Sequence, residues 1–152
     1  ASETPIKITH RWGAHPAGCW VWLDAEKIIF VGDSVVDHKP PFLAWSDLET
    51  WQDELAELQD EPLQNYKIIS SRNGLVGRRA IEKMADFLLE IQSLKKDLDA
   101  LDDRKEAIAD VLPGLLRKLN VNKKYAEQYR KRLAYGLNGY LKRHETRKNE
   151  EG

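Results

Sequence analysis

The sequence predicts an α/β fold: a small mixed sheet in the first half of the chain, then a helical carboxyl-terminal extension. Three observations predict it. Two apolar, β-favouring runs, Trp20-Val21-Trp22-Leu23 and Ile28-Ile29-Phe30-Val31, flank a polar turn at Asp24-Ala25-Glu26 and read as a hairpin. A helical stripe of Leu48, Trp51, Leu55 and Leu58 is followed by another short strand-like run, Tyr66-Lys67-Ile68-Ile69-Ser70, so a β-α-β crossover with a parallel strand is expected. From Arg78 onward the apolar spacing is helical.

Each element has its own signal. Ile6-Lys7-Ile8-Thr9-His10 alternates and reads as a half-exposed strand. Gly and Pro punctuate Trp12 to Gly18 as a loop. Gly32-Asp33 stops the second hairpin strand and sets a carboxylate at the mouth of the sheet. Pro40-Pro41 forbids a ladder or a helix there. Ser46-Asp47-Leu48-Glu49 has the form of a capping box, with Ser46 as cap, and Asp53, Glu54 and Glu57 fall largely off the apolar stripe. Ser71-Arg72-Asn73-Gly74 reads as a turn. Ile81, Met84, Leu88, Ile91, Leu94, Leu98 and Leu101 make a near-heptad seam, so a helix is expected from Arg78 to about Leu101. A further helix is expected from Arg104 to Leu119, kinked or broken at Pro113-Gly114. Asn122 can cap a last helix to about His144.

At 152 residues the chain is one domain, or one with an appendage. No run of 18 or so apolar residues could span a bilayer. The first residues, A-S-E-T-P-I-K, carry no signal-peptide pattern, and the absence of Met is consistent with a processed or cut piece. A single Cys excludes an internal disulfide and fits a reducing compartment, so a cytoplasmic location is expected. The net charge of −1 hides an asymmetry: residues 1–65 hold 4 basic and 12 acidic residues, residues 122–152 hold 9 and 4. All five Trp lie at or before Trp51.

The order G-A-H-P-A-G-C-W-V-W-L, then I-I-F-V-G-D, then P-P-F-L-A with a capped helix, resembles the carboxyl-terminal half of a metallo-β-lactamase-fold hydrolase of the glyoxalase II-like kind. That family has G-H-T-P-G-S before a strand, a hydrophobic strand ending in G-D, a helix, and a strand ending in a P-G-H-G-like turn. The resemblance covers Ile6 to Val76. It implies half of an αββα sandwich over residues 1–77, followed by the helical extension at 78–149. It implies His15 as a metal-binding His and Asp33 as a carboxylate bridging two metal ions, zinc or iron. The third ligand has no counterpart, since Arg72 or Asn73 stands at that turn. Arg cannot ligate a metal, and Arg72 is instead expected to orient an anionic group of substrate.

The family's H-x-H-x-D-H motif is absent, the only histidines being His10, His15, His38 and His144. A catalytic zinc site needs about three protein ligands. The intact protein implied by the resemblance hydrolyses an ester, thioester, amide or phosphoester, and this chain is expected to be inactive alone. A missing amino-terminal half or another chain would complete its site.

On local sequence alone the plainer alternatives stand. His15 before Pro16 is an ordinary loop residue, Asp33 a turn former, and Cys19 a small core residue. The Trp cluster is core, because Trp20 and Trp22 share a strand face. The basic tail reads as a solvated helix face, or as a surface that docks on the acidic front of a neighbouring subunit, and shows no nucleic-acid-binding motif. A halved sandwich would leave an apolar sheet face in water. Either the later helices fold over it, or a missing half covers it, or two copies pair; a symmetric homodimer is the expected outcome. The reading from another class is a non-enzymatic interaction module that oligomerises through the sheet and helical tail.

Overall fold

The hairpin is formed by β2 (Cys19–Leu23) and β3 (Ile28–Gly32), antiparallel, with Val21 opposite Phe30 and Trp22 opposite Ile29. In the computed structural model, residues 3–101 and 103–151 are described. β1 (Lys7–His10) pairs antiparallel with β2, and β4 (Lys67–Ser70) pairs parallel with β3 after the crossover helix α1 (Leu48–Gln59). A fifth strand, β5 (Gly74–Val76), closes the mixed sheet, whose order is β1-β2-β3-β4-β5. It begins in the stretch expected to be a turn. Gly74 takes φ +67°, which folds the chain straight back onto β4, so the turn is shorter than the sequence implies.

The helices α2 (Arg78–Leu98), α3 (Arg104–Leu119) and α4 (Ala126–Glu151) complete the fold. α2 packs between α1 and α3, and α3 packs on α4. α2 stops before Leu101, and Leu101 is exposed. Asp97 and Asp99 lie at this end, where the negative pole of the helix disfavours carboxylates. α3 runs through Pro113 without a break. Pro113 is exposed, so the carbonyl it leaves unpaired can meet water. Asn122 does act as a cap, but of a single 3-10 turn (Lys123–Tyr125) that leads into α4, and α4 extends beyond His144 to Glu151.

One face of the sheet is core. Trp20, Trp22, Ile29, Val31 and Ile68 are buried in a cluster with Leu48, Trp51, Leu55 and Leu58 of α1 and with the apolar stripes of α2, α3 and α4. The cluster runs without interruption from Ala14 to Leu141. The cap of α1 is Asp47, which accepts from the Thr50 amide at 3.0 Å; Ser46 is buried and donates to the Leu43 carbonyl at 2.8 Å. Glu54 is not off the apolar stripe but buried within it.

The opposite face of the sheet is open. Ile8, Val21, Phe30, Ile69 and Leu75 lie in one row, each directly opposite the next across all five strands. Ile8 is 66% exposed, Phe30 41% and Leu75 65%. Among the described residues none of the helices covers this row. Cys19, expected in the core, stands exposed at the first position of β2. It shares the strand parity of Val21, not that of the buried Trp pair.

Among the described residues no helix is long and apolar enough to cross a membrane.

Candidate functional site

The loops that follow β3 and β4 leave the sheet side by side. Gly32 has φ +57°, which turns the chain out of β3, and its carbonyl accepts from the Ser71 amide at 3.0 Å. Asp33 and Arg72 are thereby set at the same strand ends. Arg72 Nε lies 3.1 Å from one Asp33 oxygen, a terminal nitrogen lies 3.4 Å from the other, and the Ser71 hydroxyl donates to the same carboxylate. Partial burial alone would raise the Asp33 carboxyl. The Ser71 and Arg72 hydrogen bonds, with the charges of Arg72 and Arg132, outweigh it and hold the group below its ordinary value.

Buried indoles fix the backbone beside Asp33. Trp20 Nε1 donates to the Ser34 hydroxyl at 2.9 Å, and Trp51 Nε1 donates to the Ser34 carbonyl at 2.8 Å. Ser70 donates to the Val35 carbonyl at 2.6 Å. Asn73 clasps Asp37 in both directions: its Oδ1 accepts from the Asp37 amide at 3.1 Å and its Nδ2 donates to the Asp37 carbonyl at 2.9 Å. His38 takes φ +56° and reaches Asn120, itself at φ +49°, so the rim is tied to the α3–α4 connection.

The loop carrying His15 belongs to the same rim, because β2 begins where antiparallel β3 ends. The Arg11 amide donates to the Gly18 carbonyl at 2.8 Å and the Gly18 amide to the His15 carbonyl at 2.9 Å. Gly18 passes so close to Arg11 that a Cβ would lie 2.1 Å from its carbonyl oxygen. Arg11 forks onto Glu57 of α1 at 2.5 and 2.9 Å and stacks on Trp20. The Gly13 amide donates to buried Glu54 at 3.1 Å. Burial raises the Glu54 carboxyl above its ordinary value, against the lowering effect of the Gly13 bond. The exposed His15 ring accepts from the Ala17 amide through Nδ1 at 3.0 Å, which leaves Nε2 as its outward nitrogen.

Of the three residues singled out by sequence, Asp33 and Arg72 are in contact; His15 stands on the neighbouring loop. The donor set does not fit a self-contained metal centre. The Asp33 oxygens are engaged by Ser71 and Arg72, and among the described residues no three His, Cys, Asp or Glu side chains come together to hold an ion.

Arg132 went unnoticed at this site, since nothing in its local sequence marks it out. It projects from α4 with its guanidinium 5.5 Å from the Phe42 ring centroid, and its charge is felt at both Asp33 and Arg72. α4 reaches the rim because Gly136 and Gly139 let it press onto Leu43 and Ala44. Arg143 then donates to the Ala44 and Ser46 carbonyls at 3.0 and 3.3 Å, which ties α4 to the segment before α1.

No family model and no curated protein matches this chain.

Proposed function

We propose that this chain is the carboxyl-terminal half of a metal-dependent hydrolase with a metallo-β-lactamase-like fold, and that it does not hydrolyse substrate alone. The observation that carries the proposal is the open row Ile8, Val21, Phe30, Ile69 and Leu75. A sheet that is apolar on both faces belongs between two layers. Helices supply one layer here, and in the proposed whole a second sheet supplies the other. That second half would bring the ligands this chain lacks, while His15 and Asp33 would join them in holding zinc or iron. Arg72 would orient an anionic part of an ester, thioester, amide or phosphoester. Substrate choice within that range lies in loops partly outside these residues.

The gene and its full product test this. An upstream coding region with an H-x-H-x-D-H motif is expected. The full product is expected to carry zinc or iron and to lose it when Asp33→Ala is introduced. An upstream region without the motif, or a full product whose metal content ignores Asp33, would overturn the proposal.

The same open row favours a second function, a non-enzymatic module in which two copies pair face to face. Metal analysis distinguishes the two: zinc or iron bound and lost with Asp33→Ala supports the hydrolase, and a full product that binds none supports the module.

A further inference from the structure

Positive charge outnumbers negative charge where β3 and β4 end. Arg72 commits Nε and one terminal nitrogen to Asp33. Its other terminal nitrogen makes no hydrogen bond among the described residues. Lys39 donates to the Arg72 carbonyl at 2.7 Å, which keeps a second cation on the same loop pair. Arg132 approaches from α4 and is half-buried against Phe42. Its Nε is fully buried and has no hydrogen-bond partner among the described residues. A buried donor left without an acceptor is costly, and native structures seldom leave one unexplained.

Only one carboxylate, Asp33, is bonded to this group. The nearby Asp37 carboxylate is turned to His38 Nε2 at 3.5 Å instead. Arg72, Arg132 and Lys39 stand at these strand ends against the carboxylates of Asp33 and Asp37, an excess of one positive charge, and only Asp33 is bonded to a guanidinium. A phosphate monoester carries about −1.5 to −2 near neutral pH and offers strong acceptor oxygens to these donors. Guanidinium forks suit the spacing of phosphoryl oxygens. The carboxyl ends of parallel strands are also where open α/β sheets commonly receive ligands.

We propose that Arg72 and Arg132, with Lys39 beside them, bind a phosphoryl dianion at the ends of β3 and β4. Asp33 holds Arg72 in place, and the phosphoryl oxygens take the open edge of Arg72 and the guanidinium of Arg132. The site shares Asp33 and Arg72 with the hydrolase proposal, but it is built from this chain alone and needs no metal, so it can be tested on this chain without one.

Calorimetric titration of the whole chain with inorganic phosphate, in EDTA, tests it. Saturable binding of one phosphate per chain is expected, with acetate failing to compete. Arg132→Gln is expected to weaken binding by about tenfold or more, the loss of one hydrogen bond to a charged group. Lys131→Ala, on an exposed position of the same helix, should leave affinity unchanged. Arg72→Gln is a second variant at the solvent-facing rim, and it carries the test if Arg132→Gln lowers the melting temperature. Phenyl phosphate binding more tightly than inorganic phosphate would assign the site to an organic monoester lying against Phe42; equal affinities would assign it to phosphate itself. No saturable binding, or equal losses from Lys131→Ala and Arg132→Gln, would overturn the proposal. Neither result alters the metal content of the full product, so the two proposals fail separately.

Discussion

Arg72 lies across the strand ends from Asp33, its Nε 3.1 Å from one carboxylate oxygen and a terminal nitrogen 3.4 Å from the other. Partial burial would raise the Asp33 carboxyl, but the Ser71 hydrogen bond and then the Arg72 pair give it a folded-state value below its unfolded one. Such a group stabilises the fold above its unfolded pKa, and that contribution is lost as pH falls through the folded value. Arg72→Gln should raise the Asp33 titration, read by carboxyl-carbon NMR. Both side chains are more than a third exposed, so solvent screening keeps the stability cost at neutral pH below about 1 kcal/mol. The cost should vanish in urea melts at the acid limit. An Asp33 titration unmoved by the substitution would show that Arg72 does not hold it.

Ser34 is the anchor of the loop that presents Asp33. Its hydroxyl is the acceptor for the fully buried Trp20 indole. Ser34→Ala leaves that N–H unpaired and is expected to cost about 1–3 kcal/mol in urea unfolding. The Trp51 bond to the Ser34 carbonyl should survive, because it uses backbone. A neutral result would mean the indole finds another acceptor.

Two glycines in helices should respond oppositely to Ala. At Gly139 a Cβ would sit 2.8 Å from the Ala44 Cβ and 3.2 Å from its Cα, so α4 or the 42–46 segment must move. Overpacking of this kind costs about 1–3 kcal/mol, more than the roughly 1 kcal/mol gained in helix propensity. Gly114 in α3 meets only the flexible end of Arg117 at 3.8 Å, and Gly114→Ala should stabilise by about 0.5–1 kcal/mol. Thermal melts of both variants give the signs directly.

Glu54 is buried, bonded once to the Gly13 amide, with Oε2 unpartnered among the described residues. Its raised carboxyl means the folded state holds a proton that the unfolded chain has already released. Stability should therefore fall as pH rises from the ordinary carboxylate value through the raised one, and stay level above it. Glu54→Gln keeps the acceptor for Gly13 and cannot ionise. The difference in unfolding free energy between variant and wild type should grow in the variant's favour as pH rises from the ordinary Glu value of about 4.3 through the raised one, and be constant above it. A constant difference across pH would place the ionisation elsewhere.

The hairpin and the parallel strand after the crossover were legible because backbone needs wrote themselves into runs: β2 and β3 are continuous apolar segments around Asp24-Ala25-Glu26. β5 was not, because three residues starting in Gly74 carry no period. Local rules also missed by one residue at α1, where Ser46 and Asp47 are both good caps and only the burial of Ser46 decides between them. Glu54 follows Trp51 by three positions and so shares its buried face, which the stripe of apolar residues alone does not show. At the rim, Asp33 was visible through Gly32 and Arg72 through its turn. Ser34 was not, since its partners are indoles far along the chain, and Arg132 reaches the rim only through the close seat of α4 at Gly136 and Gly139.

The open row makes a prediction about surface rather than stability. Phe30 sits at its middle, paired with Val21 on one side and Ile69 on the other, with its side chain exposed. Phe30→Lys places a charge in the row without touching the buried face of β3, since Ile29 and Val31 point the other way. Its effect on unfolding should stay within about 0.5 kcal/mol, as for other exposed positions. If two copies pair through this face, the same change should shift sedimentation from dimer to monomer, because a buried unpaired charge opposes association. If an amino-terminal sheet covers it in the full product, Phe30→Lys there should instead lower solubility and metal content together. A variant that unfolds outright would show that Phe30 is held by core contacts, and that the face is not open in solution.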